Sequence, residues 1–191
     1  MKVVAFNGSP RKDGNTVQSI RVVLEELEGQ GIDTEIIQVG GKPLRGCTSC
    51  YSCFKNKNRQ CVLTDDDLNL YLEKMIDADG IIIGSPVYFS NVSSETKALI
   101  DRAGLVARAN DYLFARKAGA AVVAVRRAGA TFAFSAINFF FFIQQMMVPG
   151  SVYWNLGIGR EPGEVLQDEE GIVTFKTLGR NMAWLLKKLK A

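Results

Sequence analysis

Short apolar runs alternate with amphipathic stretches along most of the chain. Lys2–Phe6 (KVVAF) is a short apolar run after its lysine and predicts a buried strand. From Thr16 to Glu28, Val17, Ile20, Val23, Leu24 and Leu27 recur at helical spacing, and Gly29 and Gly31 end that helix. Thr34–Val39 predicts a second strand, Gly80–Gly84 (GIIIG) a third, Ala118–Val125 (AGAAVVAV) a fourth and Ser151–Asn155 a fifth. Helices are predicted over Ser93–Ala109, Thr131–Met147 and Lys176–Lys190. A further helix runs to about Ala78, with Thr64 as its N-cap and Asp65, Asp66 and Asp67 in its first turn, where carboxylates suit the helix dipole. Lys42–Cys61 has no period and reads as an irregular insertion.

Strands alternating with helices of this length imply right-handed βαβ units and an α/β fold. The strands lack in–out alternation, as expected of a parallel sheet covered on both faces. A doubly wound five-stranded parallel sheet of order 2-1-3-4-5 follows from the pattern read above. Such sheets bind ligands at the carboxyl ends of their strands, which directs attention to the loops after Phe6, Gly84 and Val125.

Composition narrows the chemistry. There is no histidine among the 191 residues, so Ser-His-Asp and Cys-His machinery and imidazole zinc sites are excluded. The net charge of +3 does not argue for nucleic acid. Met1–Phe6 stops at Asn7-Gly8, short of a secretory signal. Phe132–Val148 is very apolar but carries Asn138, Gln144 and Gln145, and it falls short of the ~20 apolar residues of a bilayer span. Its Phe139–Phe142 run predicts a subunit interface. A cytoplasmic protein is expected, with no membrane or nucleic-acid partner, and in that compartment clustered thiols bind metal or do redox work more often than they form disulfides.

The loop Asn7–Thr16 (NGSPRKDGNT) links a strand to a helix N-terminus, whose free N–H groups favour a phosphate. Ser9, Asn15 and Thr16 can donate hydrogen bonds and Arg11 can pair with phosphate oxygens. Neither a Walker A nor a GxGxxG pattern is present, so a single terminal phosphate fits better than a pyrophosphate. The alternative is an ordinary Gly-rich turn. After the third strand, Pro86, Val87, Tyr88, Phe89 and Asn91 offer a stiff loop with flat apolar surface and a hydrogen-bonding amide for a planar ring, or else a cap on the core. The loop Arg126–Thr131 after the fourth strand, with Arg127 and Gly129 as candidate contacts, is read as the third side of that pocket with an Arg near the ring's polar edge, or as a plain basic turn.

All four cysteines fall in one C-x2-C-x2-C-x7-C run, Cys47, Cys50, Cys53 and Cys61. Zinc usually takes two separated pairs, whereas a 4Fe–4S cube takes one thiolate at each corner and is held in bacterial ferredoxins by a run that opens the same way. Zinc and redox thiols stay open as alternatives. Lys42, Arg45, Lys55, Lys57 and Arg59 surround the run without a carboxylate, which suits an anionic cluster and an acidic partner protein.

The combination G-S-P-R-K-x-G-N-T at 8–16, the cysteine run at 47–61, T-D-D-D at 64–67 and S-P-V-Y-F-S-N-V-S at 85–93 resembles the iron-sulfur flavoproteins of the flavodoxin-like NAD(P)H-dependent FMN reductase superfamily. The resemblance implies one flavodoxin-like domain over 1–191, with 42–63 as a cluster-binding loop. It implies FMN with its phosphate on Ser9, Arg11, Asn15 and Thr16 and its ring beside Pro86, Val87, Tyr88, Phe89 and Asn91. It also implies a 4Fe–4S cluster on Cys47, Cys50, Cys53 and Cys61. The activity implied is electron transfer from a ferredoxin-like carrier, through cluster and flavin, to a small-molecule acceptor such as oxygen, peroxide or a quinone. No side chain is assigned as a catalytic acid or base. NAD(P)H is a further candidate donor, and a homodimer or homotetramer is implied. Family relatives often carry a Gly-rich loop after the fourth strand, where this chain has Arg126-Arg127-Ala128-Gly129. The alternative readings are a cluster-free NAD(P)H-dependent FMN or quinone reductase and a zinc-loop nucleotide binder.

Overall fold

The computed structural model describes residues 1–190. Strands β1 (Lys2–Asn7), β2 (Asp33–Gln38), β3 (Gly80–Pro86), β4 (Ala118–Val125) and β5 (Leu156–Ile158) form one sheet of order β2-β1-β3-β4-β5, every pairing parallel. The helices are α1 (Asn15–Glu28), α2 (Ser52–Asn56), α3 (Leu68–Asp77), α4 (Ser94–Ala109), α5 (Ala130–Ile143) and α6 (Glu169–Lys190), with a 3-10 turn at Glu164–Gln167.

The central strands are apolar on both faces because each face meets its own helix layer. Val4, Phe6, Ile81, Ile83, Ala121 and Val123 pack with α3, α4 and α5. Val3, Ala5, Ile82, Ala120 and Val122 pack with α1 and α6. This three-layer arrangement is the one the apolar runs predict. Its consequence is that β1, β3, β4 and β5 end at one edge of the sheet, where the loops that follow them meet.

Four sequence-based boundaries are corrected. Thr64 does not cap α3, and Asp65–Asp67 lie before it rather than in its first turn. The Asp66 side chain is drawn instead into a buried ion pair with Arg102, so its carboxylate serves the core of the loop. The fifth strand is Leu156–Ile158, not Ser151–Asn155. Val152, Tyr153 and Trp154 have strand-forming side chains but stand exposed at the surface. Helix α5 stops at Ile143, after which Gln145 turns left-handed at φ 59° and Met147 bridges to Ala118 beside the sheet. Helix α6 starts at Glu169, well before Lys176, because the Asp168 carboxylate accepts from Gly171 N (3.0 Å) at its first turn.

The run Phe139–Phe142 divides between two environments. Phe140 and Phe141 are core residues, while Phe139 and Phe142 are 67% and 58% exposed. No helix among the described residues is long and apolar enough to cross a membrane.

Candidate flavin cleft and cysteine cavity

Two cavities hold the residues singled out by the sequence motifs. The first has a volume of about 370 Å³ and lies where the loops after β1, β3, β4 and β5 converge. Ser9, Arg11, Asn15 and Thr16 line it from the β1–α1 loop, Pro86, Val87 and Tyr88 from the end of β3, and Ala124 and Arg126 from the end of β4. Gly159, Arg160 and Glu161 close it from the loop after β5.

The β1–α1 loop is held from behind. Asn7, fully buried, donates from Nδ2 to Gln38 Oε1 (2.7 Å) and accepts from Ser9 N (3.1 Å). Gln38 Nε2 donates in turn to Ser9 O and Gly40 O, both at 2.6 Å. Gly8 N donates to Gly84 O (2.8 Å), and Gly8 O accepts from Ser93 Oγ (2.7 Å). A Cβ on Gly8 would overlap Thr96 Oγ1, so only glycine lets the loop seat on α4. With its rear satisfied, the loop presents the start of α1. Gly14 stands at the N-cap with no side-chain cap, and the N–H groups of Asn15, Thr16 and Val17 have no acceptor among the described residues. Three arginines, Arg11, Arg126 and Arg160, face one acid, Glu161, around the cleft. That combination of free helix N–H groups and guanidinium charge suits a phosphate.

Asn15 has a double role. Its Oδ1 accepts from Gly163 N (2.8 Å) and Val165 N (3.4 Å), which ties the Gly159–Glu161 wall to the start of α1 and leaves its Nδ2 donor free of partners among the described residues.

The remaining sequence-predicted ring residues stand outside the lining of this cleft. Phe89 and Ser90, at φ 47° and 59°, form the tip of a tight hairpin in which Tyr88 and Asn91 exchange both backbone hydrogen bonds. Phe89 projects fully into solvent, and the Asn91 amide accepts from Val92 N (2.8 Å). Gly129, at φ +85°, packs against Ser90, where a Cβ would come within 2.5 Å of Ser90 Oγ. Arg127 and Gly129 border a neighbouring cavity with Tyr153, Trp154 and Asp168. Of the Arg126–Thr131 loop proposed from the sequence as the third side of the pocket, Arg126 lines the cleft, while Ala124, Gly159, Arg160 and Glu161 line it without having been read from the sequence.

The second cavity gathers all four cysteines. Cys47, Cys50, Cys53 and Cys61 line it with Thr48, Tyr51, Val62 and Leu63, and Arg102, Leu105 and Val106 of α4 form its floor. All four are free thiols. No three of the Cys, Asp and Glu side chains converge as a site for a single metal ion among the described residues. The loop carrying them is bent by non-glycine left-handed residues at Ser49, Tyr51, Lys57 and Arg59, which cap and flank the short helix α2. Each such residue costs about 1–2 kcal/mol and persists only where the surroundings impose it. A hydrogen bond from Ser52 favours the thiolate of exposed Cys50 and lowers its pKa. Burial does the reverse at Cys53 and raises its pKa.

Arg102 organises the loop from below and was not read from the sequence. Its side chain and that of Asp66 are 1% and 2% exposed and ion-paired through Nη1. The guanidinium also donates to Arg45 O (3.1 Å), Leu63 O (3.0 Å) and Cys61 Sγ (3.5 Å). Burial opposes the charge on Asp66, but hydrogen bonds from Arg102, Leu68 N and Arg45 N outweigh it and hold the carboxyl below its usual range. Arg102 Nε is buried without a partner.

The family model for NADPH-dependent FMN reductases matches residues 1–161. An iron-sulfur flavoprotein of Methanocaldococcus jannaschii is 38% identical over 196 aligned positions, covering 100% of each chain. The chain belongs to the iron-sulfur flavoproteins of the NADPH-dependent FMN reductase family. An Archaeoglobus fulgidus iron-sulfur flavoprotein is 36% identical, over 90% of this chain and 83% of its own. Among solved structures, a flavone reductase superposes with a TM-score of 0.74 at 17% identity, over 100% of this chain and 64% of that one. An archaeal flavodoxin superposes at 0.62 and 19% identity over the full length of both. These superpositions show a flavodoxin-like fold, and family membership makes the protein a flavin-dependent oxidoreductase.

Proposed function

We propose that residues 1–191 work as one unit that holds FMN in the cleft and a 4Fe–4S cluster in the cysteine cavity, and passes electrons between them. The observation that carries this reading is that all four free thiols line one cavity whose floor includes the buried Arg102, which donates to the Cys61 sulfur. The cysteine donor set is all sulfur, and a guanidinium that donates to one of these sulfurs suits an anionic group held by thiolates. Cys47, Cys50, Cys53 and Cys61 are the proposed ligands.

Bound there, the cluster supplies one-electron chemistry and FMN one- or two-electron chemistry. The chain's own contribution is placement. Ser9, Arg11, Asn15 and Thr16 hold the phosphate at the start of α1, Arg126 and Arg160 add positive charge, and Pro86, Val87 and Tyr88 wall the ring. Helix α4 braces both sites: its N-cap Ser93 holds Gly8 of the phosphate loop, and Arg102 holds Cys61. These two residues are nine apart in sequence, or about 14 Å along a rigid helix at 1.5 Å per residue. No side chain is required to act as acid or base in electron exchange.

The donor in this reading is a ferredoxin-like protein, favoured by Lys55, Lys57 and Arg59 and the exposed Tyr51–Phe54 pair beside the cysteines. The acceptor is a two-electron small molecule such as oxygen, peroxide or a quinone. Anaerobic stopped-flow bleaching of the flavin tests the order of events. Fast bleaching by a reduced acidic ferredoxin, lost in Cys50→Ser with FMN content unchanged, is expected. Equally fast bleaching of Cys50→Ser by NADPH, without iron, would replace this reading with a cluster-free NADPH-dependent reductase.

A further inference from the structure

Arg102 has five N–H hydrogens to place and is 99% buried by side chain. Nη1 serves Asp66 and Arg45 O, and Nη2 serves Leu63 O and Cys61 Sγ. These four bonds account for both Nη groups. The fifth donor, on Nε, has no acceptor among the described residues. A buried donor on a charged group is costly to leave unmade, and Arg102 borders the cavity that holds all four thiols. The chain therefore supplies the donor but not the acceptor.

We infer that Arg102 is a positioning residue that sets the reduction potential of the group held by the four cysteines, an inference that rests on the cluster reading above. Its Nη2 fixes the Cys61 sulfur as a ligand, and its charge lies against a group that thiolates make net negative. Positive charge and hydrogen bonds at ligand sulfur stabilise the more negative, reduced state and raise the potential. The competing role is that of a strut, in which Arg102 only pins Arg45, Leu63 and Asp66 together. A strut changes stability and iron retention when removed, but leaves the potential of whatever cluster remains.

The test uses anaerobic holoprotein and spectroelectrochemical titration of Arg102→Lys and Arg102→Gln, with iron, sulfide and FMN measured on each. Arg102→Lys keeps the charge and is expected to stay near the wild-type potential. Arg102→Gln is expected to be at least tenfold harder to reduce at a given applied potential, about 59 mV lower for a one-electron couple, with FMN content unchanged. A fully loaded Arg102→Gln at the wild-type potential overturns the inference. Should that variant not fold, Asp66→Asn/Arg102→Gln leaves the net charge unchanged and isolates the lost Nη2 bond to Cys61: a lower potential supports that contact, and a wild-type potential overturns it. Should neither fold, electron–nuclear double resonance on the reduced wild type with 15N-arginine decides. A coupled arginine nitrogen supports the contact, and its absence overturns it. Wild-type protein without iron or sulfide sinks the cluster reading itself, and so is distinct from a wild-type cluster that Arg102→Gln leaves unmoved.

Discussion

Asp66 and Arg102 meet in a fully buried ion pair, across 36 residues of sequence, directly beneath the cysteine loop. Cys61 accepts from the same guanidinium at 3.5 Å. The loop is thus not a surface appendage but is anchored to α4 through one cation. Burying this pair costs solvation, and its carbonyl and carboxylate partners offset that cost only while both charges are present.

Asp66→Asn should therefore destabilise the protein by about 3–5 kcal/mol, since it strands a buried guanidinium. Urea unfolding, read by far-ultraviolet circular dichroism on iron-free protein, checks this. A change below about 1 kcal/mol would show that the pair is solvated.

The same pair gives stability an acid limb. The Asp66 carboxyl titrates lower in the folded protein than in the unfolded chain, where it lies near ~3.9. Its stabilisation is then fully present above about pH 4 and is lost as pH falls through the lower, folded value. Urea midpoints of iron-free wild type should fall more steeply below that pH than those of Asp66→Asn.

Arg11→Ala should weaken FMN binding about ten- to hundredfold, the loss of a charged hydrogen bond worth about 1.5–3 kcal/mol. Quenching of flavin fluorescence on titration into apoprotein measures it. An unchanged affinity would place the phosphate elsewhere.

Gly8→Ala should weaken the same binding without touching the ligand. The new Cβ meets Thr96 Oγ1 and Gly84 O, so the β1–α1 loop must lift from α4. Overpacking of this kind costs about 1–3 kcal/mol, visible as a lower melting temperature together with lost flavin.

The outward face of α5 makes a separate prediction. Phe132, Phe139, Phe142 and Ile143 are all more than half exposed, with Tyr153 and Trp154 nearby. Phe139→Ser/Phe142→Ser should convert an oligomer to monomer by sedimentation while keeping the fold, since Phe140 and Phe141 carry the core contact. Wild-type protein that sediments as a monomer would contradict the interface.

The central strands β1, β3 and β4 and the two core layers around them were legible because strands buried on both faces leave continuous apolar runs. That Ser9, Arg11, Asn15 and Thr16 line one cleft was legible because a parallel sheet of this order opens its loops at the carboxyl ends of its strands. Arg102 was not, since an arginine within a helix reads as a solvated position until its partner from a distant loop is known. Gly159–Glu161 were missed for a related reason: Val152, Tyr153 and Trp154 suggested a strand by propensity, so the loop after the true β5 was not considered. Asp66 was assigned to a helix terminus by local pattern, and tertiary pairing took it into the loop instead.

The cofactor content of protein purified without oxygen tests the pairing of flavin and cluster most directly. About four iron and four acid-labile sulfide per chain are expected, as a 4Fe–4S cube requires, together with one FMN and no zinc. Flavin with neither iron nor sulfide, after an attempt at cluster reconstitution, would contradict that pairing.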